Sequence, residues 1–441
     1  MRKSIIFLVA LLCHFTNYSQ TFDSKKLDRF FDSMQTKKDG MGMISIYKNN
    51  KQVYQKSIGY ANVKTKKKAD QETLYRIASI SKTYTATIIL QMIEEKKLSL
   101  TTQLSDYFPQ VPNATKITIE DLLRHQSGLY NITQDENLRS WVIKKQTRKQ
   151  MLDRIVKYPV DFQPKEKTSY SNTNYILLSY IAEKIDRKSF SSIVKKRIVR
   201  PLKLKRTHFG KRLNGKKNQA LPFYLKNEKW YPITTETHLS APMGAGGIVA
   251  STNDLAKFYM NVFGNKLFSK ASLQQMTDTS KGMGLGISSM EYKGLMVFGH
   301  DGGIDGFSSF ALHIPEKNLT LAITLNGSTS EIVPTVISIL DIYFENDPTL
   351  KRSSTFSVSS KDLDKYLGIY VSKTFPAKVT ITKKGNVLFA QAEGQPLFKL
   401  LAVKKDHFSY DSMGIKFSFN PPNEAISIFF RGNTHLFKRI R

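Results

Sequence analysis

The stretch that most limits the possible folds runs from Ser79 to Ile93, SISKTYTATIILQMI. Ala86, Ile88, Ile89, Leu90, Met92 and Ile93 fall on nearly every side of a helix, and a helix that is apolar all round has to be covered all round. Other elements must therefore wrap it. Ser79 and Lys82 stand at its start, three residues apart, and share one face. At a buried helix N-terminus the amides and the macrodipole favour negative charge, so a serine oxygen losing its proton there is stabilised. A lysine held in a desolvated pocket has its pKa lowered and can act as a base. Taken alone, the pair also fits an N-capping serine followed by a chance lysine.

The remaining chain is read around this helix. Leu27, Phe30, Phe31 and Met34 recur at helical spacing. MISIYKNNKQVYQKSIGYA alternates around Asn49-Asn50 and predicts a β-hairpin. The middle, from Ser79 to about Asn261, reads as mostly helical. LMVFGH, FSSFALHIP and LTLAITLN then predict strands, followed by a helix at about Ser330–Phe344. Strands at both ends of a helical middle imply one antiparallel sheet flanked by helices, an α/β (α+β) class with a mostly helical insertion. Asn346–Asp362 is serine-rich and aperiodic, which reads as a linker. AKVTITKK, NVLFAQAE, PLFKLLAV, IKFSFN and AISIFF follow and predict a small all-β, barrel-like domain. The expected division is 1–20 signal peptide, 21–345 main domain, 346–360 linker and 361–441 C-terminal domain.

Two more motifs carry chemistry. TSYSNTNY supplies Tyr170 and Asn172 just before the apolar helix YILLSYIAEKI. A phenol beside a lysine can move a proton to and from a leaving group, and Asn172 offers an amide to position substrate. FGHDGGIDGFSSF supplies His300, Asp301, Gly302 and Gly303 at the end of an apolar strand. Glycines there permit close approach of a substrate, and the Gly303 amide can join that of Ser79 as an oxyanion hole. A capped helix start and a glycine bulge are the plain structural readings of the two motifs.

In this order, S-x-x-K, Y-x-N and H-x-G resemble the serine β-lactamase and penicillin-binding family. ITIEDLLRHQSGLYN, GAGGIVASTNDLAKF and GHDGGIDGFSSFALHIPEKNLTLAITLN extend the likeness over Asp23–Phe344. Y-x-N with H-x-G points to the branch of class C-like β-lactamases, DD-peptidases, D-aminopeptidases and esterases. The resemblance implies a hydrolase forming an acyl-enzyme on Ser79, with Lys82 as activator and Tyr170 as proton shuttle. It leaves open which of the two takes the serine proton. Asn172, His300, Asp301 and Gly302 are implied as pocket residues, and Ser79 and Gly303 as the oxyanion hole. No metal and no cofactor is implied. The C-terminal domain resembles lipocalin-like appendages.

Three positions depart from the family. Class C enzymes carry lysine where His300 stands. Asp301 replaces the usual threonine or serine; facing the pocket, it would disfavour substrates bearing a carboxylate, such as β-lactams. Lys165 replaces the glycine usual after the proline, here Pro164, which puts that loop's shape in question. Esterase or D-amino-acid peptidase action is therefore favoured over β-lactamase or DD-carboxypeptidase action. A non-catalytic cell-wall-fragment sensor on the same fold is the remaining alternative.

Charge and leader bound the setting. Arg2 and Lys3 precede the apolar run Ile5–Leu12, and cleavage near Ser19 or Gln20 would complete a secretory signal. A secreted or periplasmic protein is expected, with the only cysteine, Cys13, inside the signal. No later stretch reaches the ~18 uninterrupted apolar residues of a membrane span. The formal charge is +31, or +29 without Arg2 and Lys3, the only charged residues of the first twenty. Such a charge attracts polyanions. The densest cluster, Lys195–Lys217, lacks the interleaved aromatics of a nucleic-acid platform. The expected partners are a small-molecule or peptide substrate and anionic cell-envelope polymers, not nucleic acid. GMGLGI, Gly282–Ile287, has no preceding strand to make it a dinucleotide loop.

Overall fold

A computed structural model describes residues 22–345, 347, 356–375, 377–393, 397–410, 415–430 and 433–440. The expected signal segment with Cys13 lies outside the described residues, as does most of the expected 346–360 linker.

The main sheet is antiparallel and has six strands. Their order across it is Lys51–Ile58, Gly40–Lys48, Leu319–Ser328, Phe307–Ile314, Leu295–Ile304 and Ser288–Tyr292. Two interior strands, Gly40–Lys48 and Leu319–Ser328, are buried on both faces. Both faces are buried because helices cover each of them. On one side Leu27, Phe31 and Met34 of the helix Ser24–Thr36, with Val336 and Leu340 of Ile332–Tyr343, pack onto Ile44, Ile46, Leu321 and Ile323. On the other side the helix Thr252–Phe263 lies against the sheet, where Thr252 and Thr324 share a buried hydroxyl hydrogen bond of 2.6 Å.

The apolar helix Ser81–Glu94 runs through the second core. It is enclosed by Asn172–Asp186, Ile119–Leu123 and the loop before Ile248. Ile88, Ile89, Leu90 and Met92 are fully buried, each contributing roughly 2 kcal/mol by leaving water. The middle region is not wholly helical. Leu74–Arg76, Ile248–Ser251 and Thr207–Phe209 form a three-stranded sheet. A hairpin, Phe223–Lys226 with Lys229–Pro232, stands beside it. Leu74–Arg76 and Ile248–Ser251, short and wholly buried, show no alternation in sequence.

The C-terminal sheet has nine strands, with Gly368–Ser372 paired to Asn433–Ile440 so that its first strand meets its last. The sheet is nearly closed. Tyr366, Tyr370, Phe408, Phe417, Phe419 and Phe437 form a packed aromatic core inside it.

Candidate active site

Ser79 sits in a 3₁₀ turn, Ala78–Ile80, immediately before the helix that begins at Ser81. Two contacts with the small sheet pin the turn: the Ile77 amide donates to Ile248 O at 3.2 Å, and the Ile248 amide donates to Ser81 Oγ at 3.0 Å. Ala78 adopts φ 47°, a left-handed conformation costing a non-glycine residue roughly 1 kcal/mol.

Lys82 is fully buried. Its Nζ lies 3.1 Å from Ser79 Oγ, 2.8 Å from Asn172 Oδ1 and 2.8 Å from Ala245 O. No carboxylate forms an ion pair with it among the described residues. Burial drives its pKa well below the ordinary lysine range, opposed only by the more distant Asp301. A neutral amine has two N–H bonds and one lone pair. The two oxygen acceptors, Asn172 Oδ1 and Ala245 O, take the N–H bonds, and the lone pair faces the serine hydroxyl.

Tyr170 lies over this lysine, with Nζ 4.8 Å from the ring centroid. The residue is 37% exposed, yet its hydroxyl is enclosed enough that burial raises its pKa, against a hydrogen bond with the Ser79 side chain. The phenol therefore stays protonated at neutral pH. Asn172 begins the helix Asn172–Asp186. Its Nδ2 donates to Thr133 Oγ1 at 3.1 Å and to Asn131 Oδ1 at 3.3 Å, which orients Oδ1 towards Lys82.

The strand Leu295–Ile304 closes the site. Its neighbour Ser288–Tyr292 pairs only as far as Gly299, so His300–Ile304 present a free strand edge to Ser79. Alternation turns His300 and Gly302 inward. A Cβ on Gly302 would come within 2.4 Å of Ile77 O and 3.0 Å of Ser79 N. Gly303 meets nothing closer than 4.0 Å and lines the cavity beside Ser79. His300 is 4% exposed, its Nδ1 2.6 Å from Asp301 O, leaving Nε2 buried without a partner. Burial and the nearby Lys82 push its pKa down to about 4. Asp301 has a 61% exposed side chain, its carboxylate 3.8 Å from His300 Nδ1. It stands outside the cavity wall.

That cavity holds about 280 Å³ and is lined by Ile132, Leu138, Trp141, Val142, Ile176 and Ile304, with Thr133, Asn172 and Thr237 as polar groups. Among the described residues no lysine or arginine is on its wall. A larger cavity of about 600 Å³, at Phe263, Phe298 and His313, contains none of the motif residues.

Sequence reasoning missed several supports. His125 stacks on Tyr170 with ring centroids 4.4 Å apart, and its Nδ1 accepts the Ser171 amide at 3.1 Å. Asn131, Thr133 and the Ala245 carbonyl were equally unmarked. His125 lies in ITIEDLLRHQSGLYN, where its position after a short helix was the only signal. Lys165 adopts φ 70°, so the loop keeps a glycine-like conformation without the glycine. Gly286 of GMGLGI seats its loop on the lysine helix, where a Cβ would meet Ala86 at 2.5 Å and Lys82 O at 3.0 Å. The Lys195–Lys217 cluster is partly consumed internally: Arg197 pairs with Glu95 and Asp186, and Arg212 with Glu236.

The fold and the grouping of serine, lysine and tyrosine define a serine hydrolase of the β-lactamase and penicillin-binding type. The chain belongs to the beta-lactamase family, whose model matches residues 27–335. It is 28% identical over 245 residues to the teichoic acid D-alanine hydrolase of Staphylococcus aureus, covering 56% of this chain and 59% of that protein. The chain thus spans somewhat over half the length of that relative. The octameric penicillin-binding protein homologue from Pyrococcus abyssi superposes with a TM-score of 0.65 at 24% identity, covering 94% of this chain and 100% of the other. The D-amino acid amidase from Ochrobactrum anthropi SV3 superposes with a TM-score of 0.64 at 23% identity, covering 73% and 98%. Among the described residues no helix is long and apolar enough to cross a membrane.

Proposed function

We propose that this protein is a secreted or periplasmic hydrolase that cleaves neutral or amine-bearing esters or amides through an acyl-enzyme on Ser79. The observation that carries this reading is the buried Lys82, 3.1 Å from Ser79 Oγ, with its other two contacts on neutral oxygens. Ser79 Oγ bonds to the substrate carbonyl carbon while its proton passes to the Lys82 amine. The Ser79 and Gly303 amides hold the oxyanion. As the tetrahedral adduct collapses, Tyr170 donates its proton to the departing alkoxide or amine and is reprotonated from Lys82. Water then attacks the acyl-enzyme by the same groups in reverse. The raised pKa of Tyr170 and the lowered pKa of Lys82 favour lysine as base and tyrosine as acid.

The substrate class follows from charge. A carboxylate in the cavity would find no cation on its wall among the described residues, and the field of Asp301, which reaches Lys82 from outside the wall, would oppose it. An ester or amide with an apolar acyl part avoids both costs, and a free amine gains from Asp301. The D-alanine and D-amino-acid substrates in the names of two relatives suit this amine-bearing class. The test is a rate panel on the purified protein: aryl esters of neutral acids, D-amino-acid amides and penicillins. Faster turnover of the first two supports the reading. Penicillin as the best substrate, or no turnover of any, contradicts it.

A further inference from the structure

The hairpin Phe223–Lys226 with Lys229–Pro232 has an exposed face that the proposed chemistry does not use. Tyr224 and Tyr231 pair directly across it. They are 46% and 40% exposed, with ring centroids 5.7 Å apart and planes inclined by 28°. Two positions further on, Lys226 pairs with Lys229. The period of two puts both lysines on the tyrosine face. Asn227 and Glu228 form the turn at φ 46° and 59°. Glu228 pairs with Lys38 at 3.1 Å, and among the described residues no carboxylate is paired with Lys226 or Lys229. The outer face therefore carries two phenol rings beside two uncompensated cations.

The hairpin is held firmly from behind. Its inner face presents Phe223 and Trp230 to the end of the strand Leu319–Ser328. A Cβ on Gly327 would meet the Trp230 ring at 2.9 Å and Phe223 O at 3.2 Å. Asn326 Nδ2 donates to Leu221 O at 2.8 Å, fixing the hairpin's start. The chain leaves Pro232 and five residues later supplies Thr237 to the wall of the Ser79 cavity, a path of at most ~18 Å. Arg76 anchors that segment by donating to Thr237 O at 2.9 Å and pairing with Glu236 at 2.6 Å.

We propose that this face docks an anionic polysaccharide, with sugar rings stacked on Tyr224 and Tyr231 and acid groups paired with Lys226 and Lys229. A pyranose offers an apolar C–H face to an aromatic ring and hydroxyls to the phenol oxygens. An amphipathic ring such as tyrosine suits a partner of that kind. The chain's net charge of +31 adds long-range attraction. Resting on the hydrolase reading, the docked polymer would carry acyl groups to the Ser79 cavity. The docking itself does not depend on that reading.

The test titrates the full chain with oligogalacturonate, following tryptophan fluorescence; the chain has two tryptophans, one of them Trp230. Neutral dextran, polyphosphate and poly(dT) are the comparators. Expected is binding of oligogalacturonate that weakens with salt and exceeds binding of all three. A Tyr224→Ala/Tyr231→Ala double variant should bind at least ~10-fold more weakly, the loss expected when stacking on two rings is removed. A Lys226→Gln/Lys229→Gln variant should show a shallower salt dependence. Both should hydrolyse a small soluble ester at the wild-type rate, which reports an intact fold. Ser79→Ala should bind undiminished, so a failure of the hydrolase reading leaves the docking result standing. Wild-type binding by the tyrosine variant, equal affinity for polyphosphate, preference for poly(dT), or no binding of oligogalacturonate each overturns the proposal.

Discussion

The backbone of Gly302 lies flush against that of Ser79: a Cβ added at 302 would stand 3.0 Å from the Ser79 amide nitrogen and 2.4 Å from Ile77 O. The neighbouring Gly303 faces open space. The two glycines should therefore respond differently to the same added methyl. Gly302→Ala must push the strand edge away from the nucleophile, because the obstructing atoms are backbone. Its acylation rate should fall ~10²-fold or more, the size of losing an oxyanion donor. Gly303→Ala should stay within a few-fold of wild type. Rates on a small aryl ester for both variants decide this, and equal effects would contradict the geometry.

Lys82 should be replaceable by nothing that stays charged. Lys82→Arg keeps a long side chain but cannot deprotonate, so it should be inactive at every accessible pH. Lys82→Ala should lose ~10²-fold or more, as for any lost general base. In the wild type, acylation should rise with pH along a limb well below the ordinary lysine pKa, because burial depresses it. A limb at the ordinary lysine position, or an active Lys82→Arg, would remove lysine from the base role.

Acid should destabilise the fold through its buried histidines, His125, His300 and His313. Burial holds His300 and His313 at about 4, against about 6.5 when unfolded. Between these values the unfolded chain binds more protons, so stability rises with pH through the window and is lost as pH falls from 6.5 towards 4. Each depression corresponds to about 3 kcal/mol when fully expressed. Urea midpoints at pH 7 and 5 should differ in that direction. His313→Gln, outside the Ser79 cavity, should remove part of the difference, the rest remaining with the other buried histidines. No difference at all would contradict the burial of these rings.

Arg197 should behave as a core residue although it sits in the most basic segment of the chain. Its guanidinium donates to Glu95 at 2.7 and 2.9 Å and to Asp186 at 2.7 and 2.9 Å, holding both carboxyls at about 2. Arg197→Ala leaves the buried Asp186 side chain with only the part-exposed Lys97, 3.2 Å away, and should cost about 3 kcal/mol. Lys195→Ala and Lys196→Ala, both exposed, should change stability by about 0.5 kcal/mol or less. Chemical unfolding of the three variants separates the roles.

The C-terminal sheet should be dispensable for acylation. Burial, and after it the carboxylate of Asp341 on the helix Ile332–Tyr343, raise the pKa of Tyr410 of that sheet, and no described residue of the sheet lines the Ser79 cavity. A chain ending near residue 353 should therefore keep Ser79 reactive towards a small activated ester. A folded truncation without that reactivity would mean that the sheet completes the site.

Five of the six main-sheet strands were legible because they alternate or run apolar, as in Phe307–Ile314 and Leu319–Ser328; the edge strand Ser288–Tyr292, short and mostly half-buried, was not. Leu74–Arg76 and Ile248–Ser251 escaped because three or four wholly buried residues carry no period. The closing strand Asn433–Ile440 escaped because His435, Lys438 and Arg439 interrupt its apolar positions. At the site, Ser79, Lys82, Tyr170 and Asn172 were readable from short motifs. Asn131, Thr133 and Ala245 were not, since they act through single amide, hydroxyl or backbone contacts that any loop can offer. The outward turn of Asp301 was implicit in strand parity, because His300 and Gly302 cannot both face inward unless it faces out.

The most direct test of the central claim is covalent labelling. Intact-mass and peptide-mapping measurements after treatment with a fluorophosphonate should show one adduct, on the peptide carrying Ser79. The adduct should be absent from Ser79→Ala and form at least ~10²-fold more slowly in Lys82→Ala. An adduct on another residue, or an undiminished rate without Lys82, would contradict the account.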